Sequence, residues 1–441
     1  MNQSLSNDTI IALSSGQGRT GVSVLRISGP QADLFLKTYC RGAVPEPRMS
    51  ALRWIYDEDE QRVDQALVLR FVAPDSFTGE DVIELHCHGS LAVVDEVLRL
   101  ACLLPGYRIA ERGEFSQRAF ENEKLDLVQI EGISDLIEST TTKQMQQAAR
   151  FLSGDASSRI EAWRKQILEA SAYLAASIDF SDEGDVGESP HGPVLDLLSE
   201  LETEFSSALD RSEKASRVRD GIRVAIMGAP NVGKSTLMNL LAERDAAIIS
   251  DIAGTTRDVL EVSLVLNGVP VLLADTAGIR ETEDPIEAEG VRRARKWAAE
   301  ADIRLFLSEI GDDTAEQEAD IDLWIGTKAD LPRNTDQPFD VKISATTGEG
   351  IDTLKTQLSD RVAELTSLSE APSIVRRRHQ SAIEQAIDAL RFARALLTEN
   401  DDVDLAAFEL SLARTALDQI LGRVDVEDIL GEVFSGFCVG K

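Results

Sequence analysis

Basic charge is what this chain lacks most. Its 45 Lys and Arg face 77 Asp and Glu, a net charge of −32. That balance favours solubility and works against non-specific nucleic-acid binding, so any RNA contact needs a local basic patch or a basic partner. Cysteine is also scarce. Cys40, Cys87, Cys102 and Cys438 show no paired spacing, which argues against a disulfide framework and suits a reducing cytosol. No apolar run approaches the roughly 20 residues of a membrane span. Met1-Asn2-Gln3-Ser4 begins neither a basic n-region nor an apolar signal core. Internal repeats and low-complexity tracts are missing too. The expectation is a soluble, cytoplasmic protein, and 441 residues are too many for one core.

What is present changes texture along the chain. Strand-like runs at 22–27, 66–71 and 82–86 and an amphipathic helix over 91–104, ended by Pro105-Gly106, indicate an α/β region. Residues 116–178 carry helical periodicity with few breakers apart from Gly132 and Gly154. An acidic loop at 182–187 and a helix over about 194–217 follow, then a compact α/β segment, then helix again from 373 to 430. The reading is a multidomain α/β plus α chain. Residues 1–118 form an N-terminal α/β domain. A discontinuous helical domain comprises 119–216 and 367–441, and an α/β nucleotide domain at 217–366 is inserted into it. A change in the insert can then lever the flanking helices.

The nucleotide assignment starts from Gly228-Ala229-Pro230-Asn231-Val232-Gly233-Lys234-Ser235, directly after the apolar run 223–227. This is the phosphate-loop pattern G-x-x-x-x-G-K-[ST]. A buried strand that breaks into a glycine turn and opens a helix aims backbone N–H groups and the positive helix end at one point. Lys234 would reach the β- and γ-phosphates, and Ser235 would ligate Mg²⁺. Residues 231–236 (Asn231, Val232, Gly233, Lys234, Ser235, Thr236) are the candidate contacts. Asp275-Thr276-Ala277-Gly278 follows the strand-like 271–274, placing a carboxylate for Mg²⁺ through water and an N–H for the γ-phosphate. The loop 251–258 offers hydroxyls to complete the Mg²⁺ shell, and Asn267-Gly268 is a hairpin turn.

Thr327-Lys328-Ala329-Asp330 and Ser344-Ala345 each follow a predicted strand. An aspartate there accepts from the guanine N1–H and N2-amino edge, which adenine lacks, and a lysine stem covers the base. The set indicates GTP and resembles the translation-factor-related GTPases, with a Ras-like, mostly parallel sheet. Thr327 stands where asparagine is more usual, so base affinity is expected to be modest. Ile279 occupies the place of the water-orienting glutamine of Ras-like proteins. Positive charge is still needed at the transition state. Asn231 and the oxygens of the loop from Ser250 to Thr255 are placed to hold a monovalent cation; the alternative is a domain that is slow until a partner supplies the missing group.

Phe77-Thr78-Gly79-Glu80-Asp81-Val82-Ile83-Glu84-Leu85, Arg112-Gly113-Glu114-Phe115-Ser116, Lys124-Leu125-Asp126-Leu127 and Phe437-Cys438-Val439-Gly440-Lys441 occur together with Asp8-Thr9-Ile10 and Val24-Leu25-Arg26-Ile27-Ser28-Gly29. End to end, the chain resembles the tRNA modification GTPase MnmE (TrmE) family. The resemblance implies an N-terminal folate-binding domain that also dimerises, a helical domain, and an inserted GTPase with potassium-dependent hydrolysis. It implies addition of a carboxymethylaminomethyl group at the wobble uridine of certain tRNAs, with the flavoprotein MnmG as partner in a heterotetramer and a formyl-tetrahydrofolate-type one-carbon donor. By the same resemblance K⁺ takes Asn231, Ser250, Ile252 (through its carbonyl) and Thr255, and Mg²⁺ takes Ser235 and Thr256. Glu287 helps orient water, and folate maps to Arg26, Glu84, Lys124 and Lys441.

The physics of the folate assignment is coherent. Alternation places Glu84, His86 and His88 on one strand face and Ile83, Leu85 and Cys87 on the other. A carboxylate matches the two-donor edge of a pterin, and Arg26 or Lys124 meets carbonyls or a carboxylate. A metal site at His86-x-His88 and a plain solvated face remain the alternatives. Cys438 is a candidate reactive thiolate, with a buried apolar role equally open. Arg376-Arg377-Arg378 and Arg292-Arg293 read as RNA contacts or, more commonly on so acidic a chain, as salt-bridged helix faces. The departures from the family pattern are Thr20 for a glycine, Thr327 for asparagine, and a short, very acidic stretch at 308–322.

Overall fold

The structure is a computed structural model. It describes residues 8–179, 191–244, 261–275, 299–312, 321–332, 337–367, 374–400, 402–424, 430–431, 433–434, 436–437 and 439–440. The chain divides into two compact units, one of residues 1–134 with 414–441, the other of residues 135–413.

The first unit is built on a six-stranded sheet. Its strands are β1 (Thr9–Leu13), β2 (Thr20–Ser28), β3 (Ala51–Tyr56), β4 (Arg62–Phe71), β5 (Val82–Gly89) and β6 (Tyr107–Ile109), in the order β3-β4-β5-β2-β1-β6. Only β1 and β6 run parallel; the other neighbours are antiparallel. Period-two alternation decides the faces. Ile11, Leu25, Ile27, Ile55, Val68, Ile83, Leu85 and Cys87 point into a core closed by the helices Ala32–Tyr39 and Leu91–Cys102. Those helices supply Phe35, Leu36, Val97 and Leu100 to it. The opposite face carries Arg26, Glu84, His86 and His88; Ile10, Ala12, Ala110, Phe115 and Phe77 cluster separately.

Residues 437–440 belong to this unit. Phe434 and Phe437 pack with Ile130, Val439 bridges Arg112, and Ser14 Oγ donates to the Gly440 carbonyl at 2.8 Å.

The second unit holds the other sheet: β7 (Ile222–Gly228), β8 (Glu261–Leu266), β9 (Val269–Asp275), β10 (Ile303–Glu309), β11 (Leu323–Thr327) and β12 (Val341–Lys342). Their order is β12-β11-β10-β7-β9-β8, parallel except for the β8–β9 hairpin. Asn267 (φ 51°) and Gly268 (φ 75°) make its turn, whose two left-handed residues match the twist of a hairpin. β7 lies between β9 and β10, a switch in strand order that opens a crevice at the carboxyl ends of the strands.

The helical stretch expected over 116–178 is broken into Glu114–Glu121, Leu127–Glu138, Thr142–Leu152 and Asp155–Asp179. Glu123 (φ 56°) and Gly154 (φ 86°) take left-handed conformations at two of the breaks, and a Thr141–Gln144 capping box starts the third helix. The helix Gly192–Asp220 feeds through Gly221 into β7. It is tied to the helix Thr142–Leu152 by Gln144 and Gln147, which donate to the Arg219 and Ala215 carbonyls. Near its end Arg217 pairs with Asp302, just before β10, at 2.9 Å. Arg219 and Arg376 both reach Asp135, at 3.0 and 2.6 Å, so Arg376 is held in a salt-bridged cluster. Arg292 and Arg293 lie outside the described residues. No helix among the described residues is long and apolar enough to cross a membrane.

Candidate functional site

β7 buries Val224, Ala225 and Ile226 and ends at Gly228, whose φ is 136°. A Cβ there would run into the Leu307 carbonyl, so the chain turns only because the residue is glycine. Asn231 (φ 62°) and Gly233 (φ 108°) continue the turn, and Val232 is buried in the core, pinning the loop to the sheet. A Cβ added to Gly233 would meet nothing within 4 Å. That open space lies where the helix Lys234–Arg244 begins, and its first N–H groups and partial positive charge suit a polyphosphate. Thr236 is exposed on the same first turn.

Lys234 is 5% exposed and folds back on its own loop, Nζ donating to the carbonyls of Gly228 (2.9 Å) and Ala229 (2.6 Å). Burial lowers its pKa, and Asp275 pulls the other way. Ser235 Oγ donates to Asp275 Oδ2 at 3.0 Å, joining the loop hydroxyl to the carboxylate at the end of β9. Donating its proton to Asp275 leaves the oxygen lone pairs for a cation, so the donor set fits Mg²⁺ beside a phosphate. Ser250, Ile252, Thr255, Thr256, Thr276, Ala277, Gly278 and Glu287 lie outside the described residues.

The elements expected from the sequence to recognise a base converge at the ends of β11 and β12. Ser344 Oγ donates to Asp330 Oδ1 at 2.6 Å, and the Ala329 N–H donates to the Ile343 carbonyl at 3.0 Å, with Ala345 next in chain. Lys328 takes φ 60° and its Nζ meets Glu309 Oε2 at 2.6 Å. Thr327 is buried, and its hydroxyl donates to the Ser308 carbonyl at 3.2 Å, fastening β11 to β10.

On the first unit, Glu84 and Arg26 are register partners across β5 and β2. Arg26 Nε and Nη2 both donate to Glu84 Oε1, at 3.1 and 3.0 Å. The guanidinium lies over the rings of Phe77 and Phe115, 5.1 and 5.7 Å from their centroids. Glu84 Oε2 has the weaker contact, His86 Nε2 at 3.4 Å, so one oxygen faces the open side of the sheet with capacity for a donor edge. Lys124 is brought to the turn that carries Phe77, since a Cβ on Gly79 would lie 3.3 Å from its stem. The Gly440 carbonyl is held at Ser14, two positions beyond the Ala12–Arg26 pair of β1 and β2. Cys438 and Lys441 lie outside the described residues.

A buried network beneath this site is absent from the sequence reading. Arg118 donates to Glu80 at 3.0 Å and to Glu114 at 2.9 Å, and Arg108 joins Glu114. Glu80 Oε2 accepts from Ser28 Oγ at 2.6 Å, and Ser28 contacts Thr78 at 2.7 Å. These bonds hold the Phe77-bearing turn and the Phe115 helix on which Arg26 rests. Burial by itself would raise the Glu114 carboxyl, but bonds from Arg108, the Glu111 N–H and Arg118 bring it below its usual value. The i, i+4 spacing of Glu114 and Arg118 is the one signal that pointed to it.

The same two regions are matched by comparison with known proteins. The family model described as GTP-binding protein TrmE N-terminus matches residues 9–124, and that described as MnmE helical domain matches residues 127–438. A tRNA modification GTPase MnmE of Hyphomonas neptunium is 46% identical over 437 residues, covering 98% of this chain and 99% of the relative. Those of Cereibacter sphaeroides and Caulobacter vibrioides are 47% and 44% identical, each over 98% of this chain and 100% of the relative. An Era variant of Aquifex aeolicus bound to GDP and aluminium fluoride is 25% identical over 38% of this chain and 66% of that one, with a TM-score of 0.26, too low to bear on the fold. With its N-terminal and helical regions both matched, and with relatives aligned along nearly its whole length, the chain belongs to the tRNA modification GTPase MnmE family.

Proposed function

We propose that this chain is the GTP-hydrolysing subunit of a tRNA-modifying complex that adds a carboxymethylaminomethyl group at C5 of wobble uridine. The one-carbon unit comes from a formyl-tetrahydrofolate-type donor, and hydrolysis depends on K⁺. The observation that carries the reading is the pairing of two sites in one chain. A phosphate loop sits beside an aspartate at a strand end, and an Arg26–Glu84 pair stands on an open sheet face. A GTPase that acted only as a switch has no need of the second.

In the nucleotide site, Lys234 exchanges the Gly228 and Ala229 carbonyls for phosphate oxygens. Ser235, with Thr256, holds Mg²⁺, which neutralises charge on the β- and γ-phosphates when bound. Asp330 reads the guanine edge, steadied by Ser344. Asn231, Ser250, Ile252 and Thr255 hold K⁺ where other GTPases place an arginine, and Glu287 orients the water. In the N-terminal domain Glu84 accepts from the pterin edge while Arg26, Lys124 and Lys441 meet the ligand's carbonyl or carboxylate oxygens; Cys438 lies close to them in sequence.

The proposed arrangement is a folate-binding domain at 1–118, a helical domain of 119–216 and 367–441, and the GTPase domain at 217–366. The chain works in the cytoplasm as a homodimer with the flavoprotein MnmG in a heterotetramer, on tRNA. Mass spectrometry of wobble nucleosides in tRNA from cells lacking this protein tests the reading. The modified nucleoside is expected to disappear, and a normal level overturns the proposal.

A further inference from the structure

β5 presents three titratable side chains to the open face of the N-terminal sheet, and the folate assignment uses only Glu84. His88, four residues on, is 73% exposed, yet its ring is fixed. Its Nδ1 lies 2.7 Å from Asp64 Oδ1, while its own backbone N–H donates to Asp64 Oδ2 at 2.7 Å. The Asp64 side chain is only 9% exposed. An exposed histidine ordinarily keeps its rotamer freedom; here one nearly buried carboxylate grips both ring and main chain.

The chemistry follows from that grip. An ionised carboxylate only accepts, so Nδ1 carries the hydrogen and the neutral ring leaves its Nε2 lone pair on the solvent side. A ring held by a carboxylate at one nitrogen and open at the other is the arrangement that makes a histidine an oriented base. His86, two residues back on the same face, is set differently: its Nε2 turns to Glu84 at 3.4 Å. Along the strand, Glu84 and His88 are about 13 Å apart at ~3.3 Å per residue. An elongated ligand whose head is held at Glu84 and Arg26 reaches that far.

We propose that Asp64 and His88 form a proton-accepting dyad that serves the amine joined to the one-carbon unit on this sheet face. This rests on the function proposed above, whose product contains a secondary amine bearing a carboxymethyl group. That nitrogen enters as an ammonium and cannot form a new bond until it loses a proton. One N–H bond breaks, its electron pair stays on nitrogen, and an Nε2–H bond forms. The charge moves to the imidazolium beside Asp64, and the exposed ring returns the proton to water. The freed lone pair is then available as the nucleophile, and the part of the dyad ends with this proton transfer. No oxidant or reductant takes part in this step.

The test uses the full chain with its flavoprotein partner and tRNA, and measures formyl-tetrahydrofolate binding and modification rate separately. For His88→Ala the rate is expected to fall about 100-fold, with folate affinity within threefold of the original and unfolding temperature unchanged. Added imidazole should recover at least tenfold. Asp64→Asn, whose amide can present a hydrogen to Nδ1 and reverse the tautomer, should slow the reaction about tenfold and gain nothing from imidazole. A His88→Ala rate within twofold of the original overturns the dyad. So does a loss that imidazole does not repair, or one matched by an equal loss of folate affinity. Should the unaltered protein itself fail to bind the folate, the underlying reading falls and the dyad with it; that outcome needs no variant and is distinguishable from the others.

Discussion

Replacing Asp330 with asparagine tests the guanine site at its most specific atom. In the proposed guanine site this carboxylate accepts from the N1–H and the 2-amino group; Ser344 Oγ holds its Oδ1 at 2.6 Å. A hydrogen bond to a charged group contributes about 1.5–3 kcal/mol, so losing two gives about 3–6 kcal/mol, or about 10²–10⁴-fold in GTP affinity. The asparagine amide also turns a donor toward guanine's own donors. Xanthine carries an oxygen where guanine has its 2-amino group, so it accepts from that amide. Asp330→Asn should therefore bind xanthosine triphosphate better than GTP. Equilibrium titration with fluorescent analogues of both nucleotides measures the two affinities. Ser344→Ala, which removes the steadying donor and leaves the carboxylate, should weaken GTP by about fivefold, the equivalent of one hydrogen bond of ~1 kcal/mol. If Asp330→Asn keeps GTP affinity within threefold and shows no taste for the xanthine nucleotide, the assignment of this loop is wrong.

Three further outcomes are expected. Glu84→Ala should abolish formyl-tetrahydrofolate binding in calorimetry and leave GTP affinity unchanged; intact folate binding would remove the assignment from this strand. GTP hydrolysis should be at least ten times faster in K⁺ than in Na⁺, and equal rates would exclude a cation at Asn231. Glu114→Gln tests the buried network. The Glu114 carboxyl sits below the usual value of a glutamate, so its contribution is fully present above that value and is lost as pH falls through the lower folded one. Breaking the pair with Arg118, each side chain 3% exposed, should cost about 3 kcal/mol near neutral pH. The variant should also lose part of the acid dependence of unfolding. Glu121, raised by burial, works in the opposite sense and is untouched by the change. Unfolding curves of both proteins between pH 3 and about 7 decide it, and parallel curves would refute the coupling.

The geometry of the proposed nucleotide site was legible because its information is local. A glycine turn, a strand-end aspartate and a strand-end serine each announce themselves within a few residues, and the parallel sheet brings Ser235 to Asp275 and Ser344 to Asp330. The face shared by Glu84, His86 and His88 was readable from alternation alone. What stayed hidden depends on register and packing. Nothing in the sequence ties Asp64 to His88, 24 residues later on a neighbouring strand, or Asp135 to Arg376, 241 residues away. The helical run over 116–178 read as nearly continuous because Glu123 carries no turn signal; exposed, it turns left-handed where the Lys124 N–H closes back on the Ala119 carbonyl. Gly154 did carry one, and the chain breaks there.

The bond from Ser14 to Gly440 spans 426 positions. A ribosome adding about 5–20 residues per second needs about 20–90 s to make the second partner after the first. For that interval the N-terminal sheet stands without the residues that settle beside Leu13 and Ser14, and without Phe434 and Phe437 against Ile130. The GTP-binding unit, encoded between them, waits less: its tie from Asp135 to Arg376 spans 241 positions. The nucleotide-binding unit is thus synthesised in full before the N-terminal sheet has the chain that carries Gly440 to Ser14.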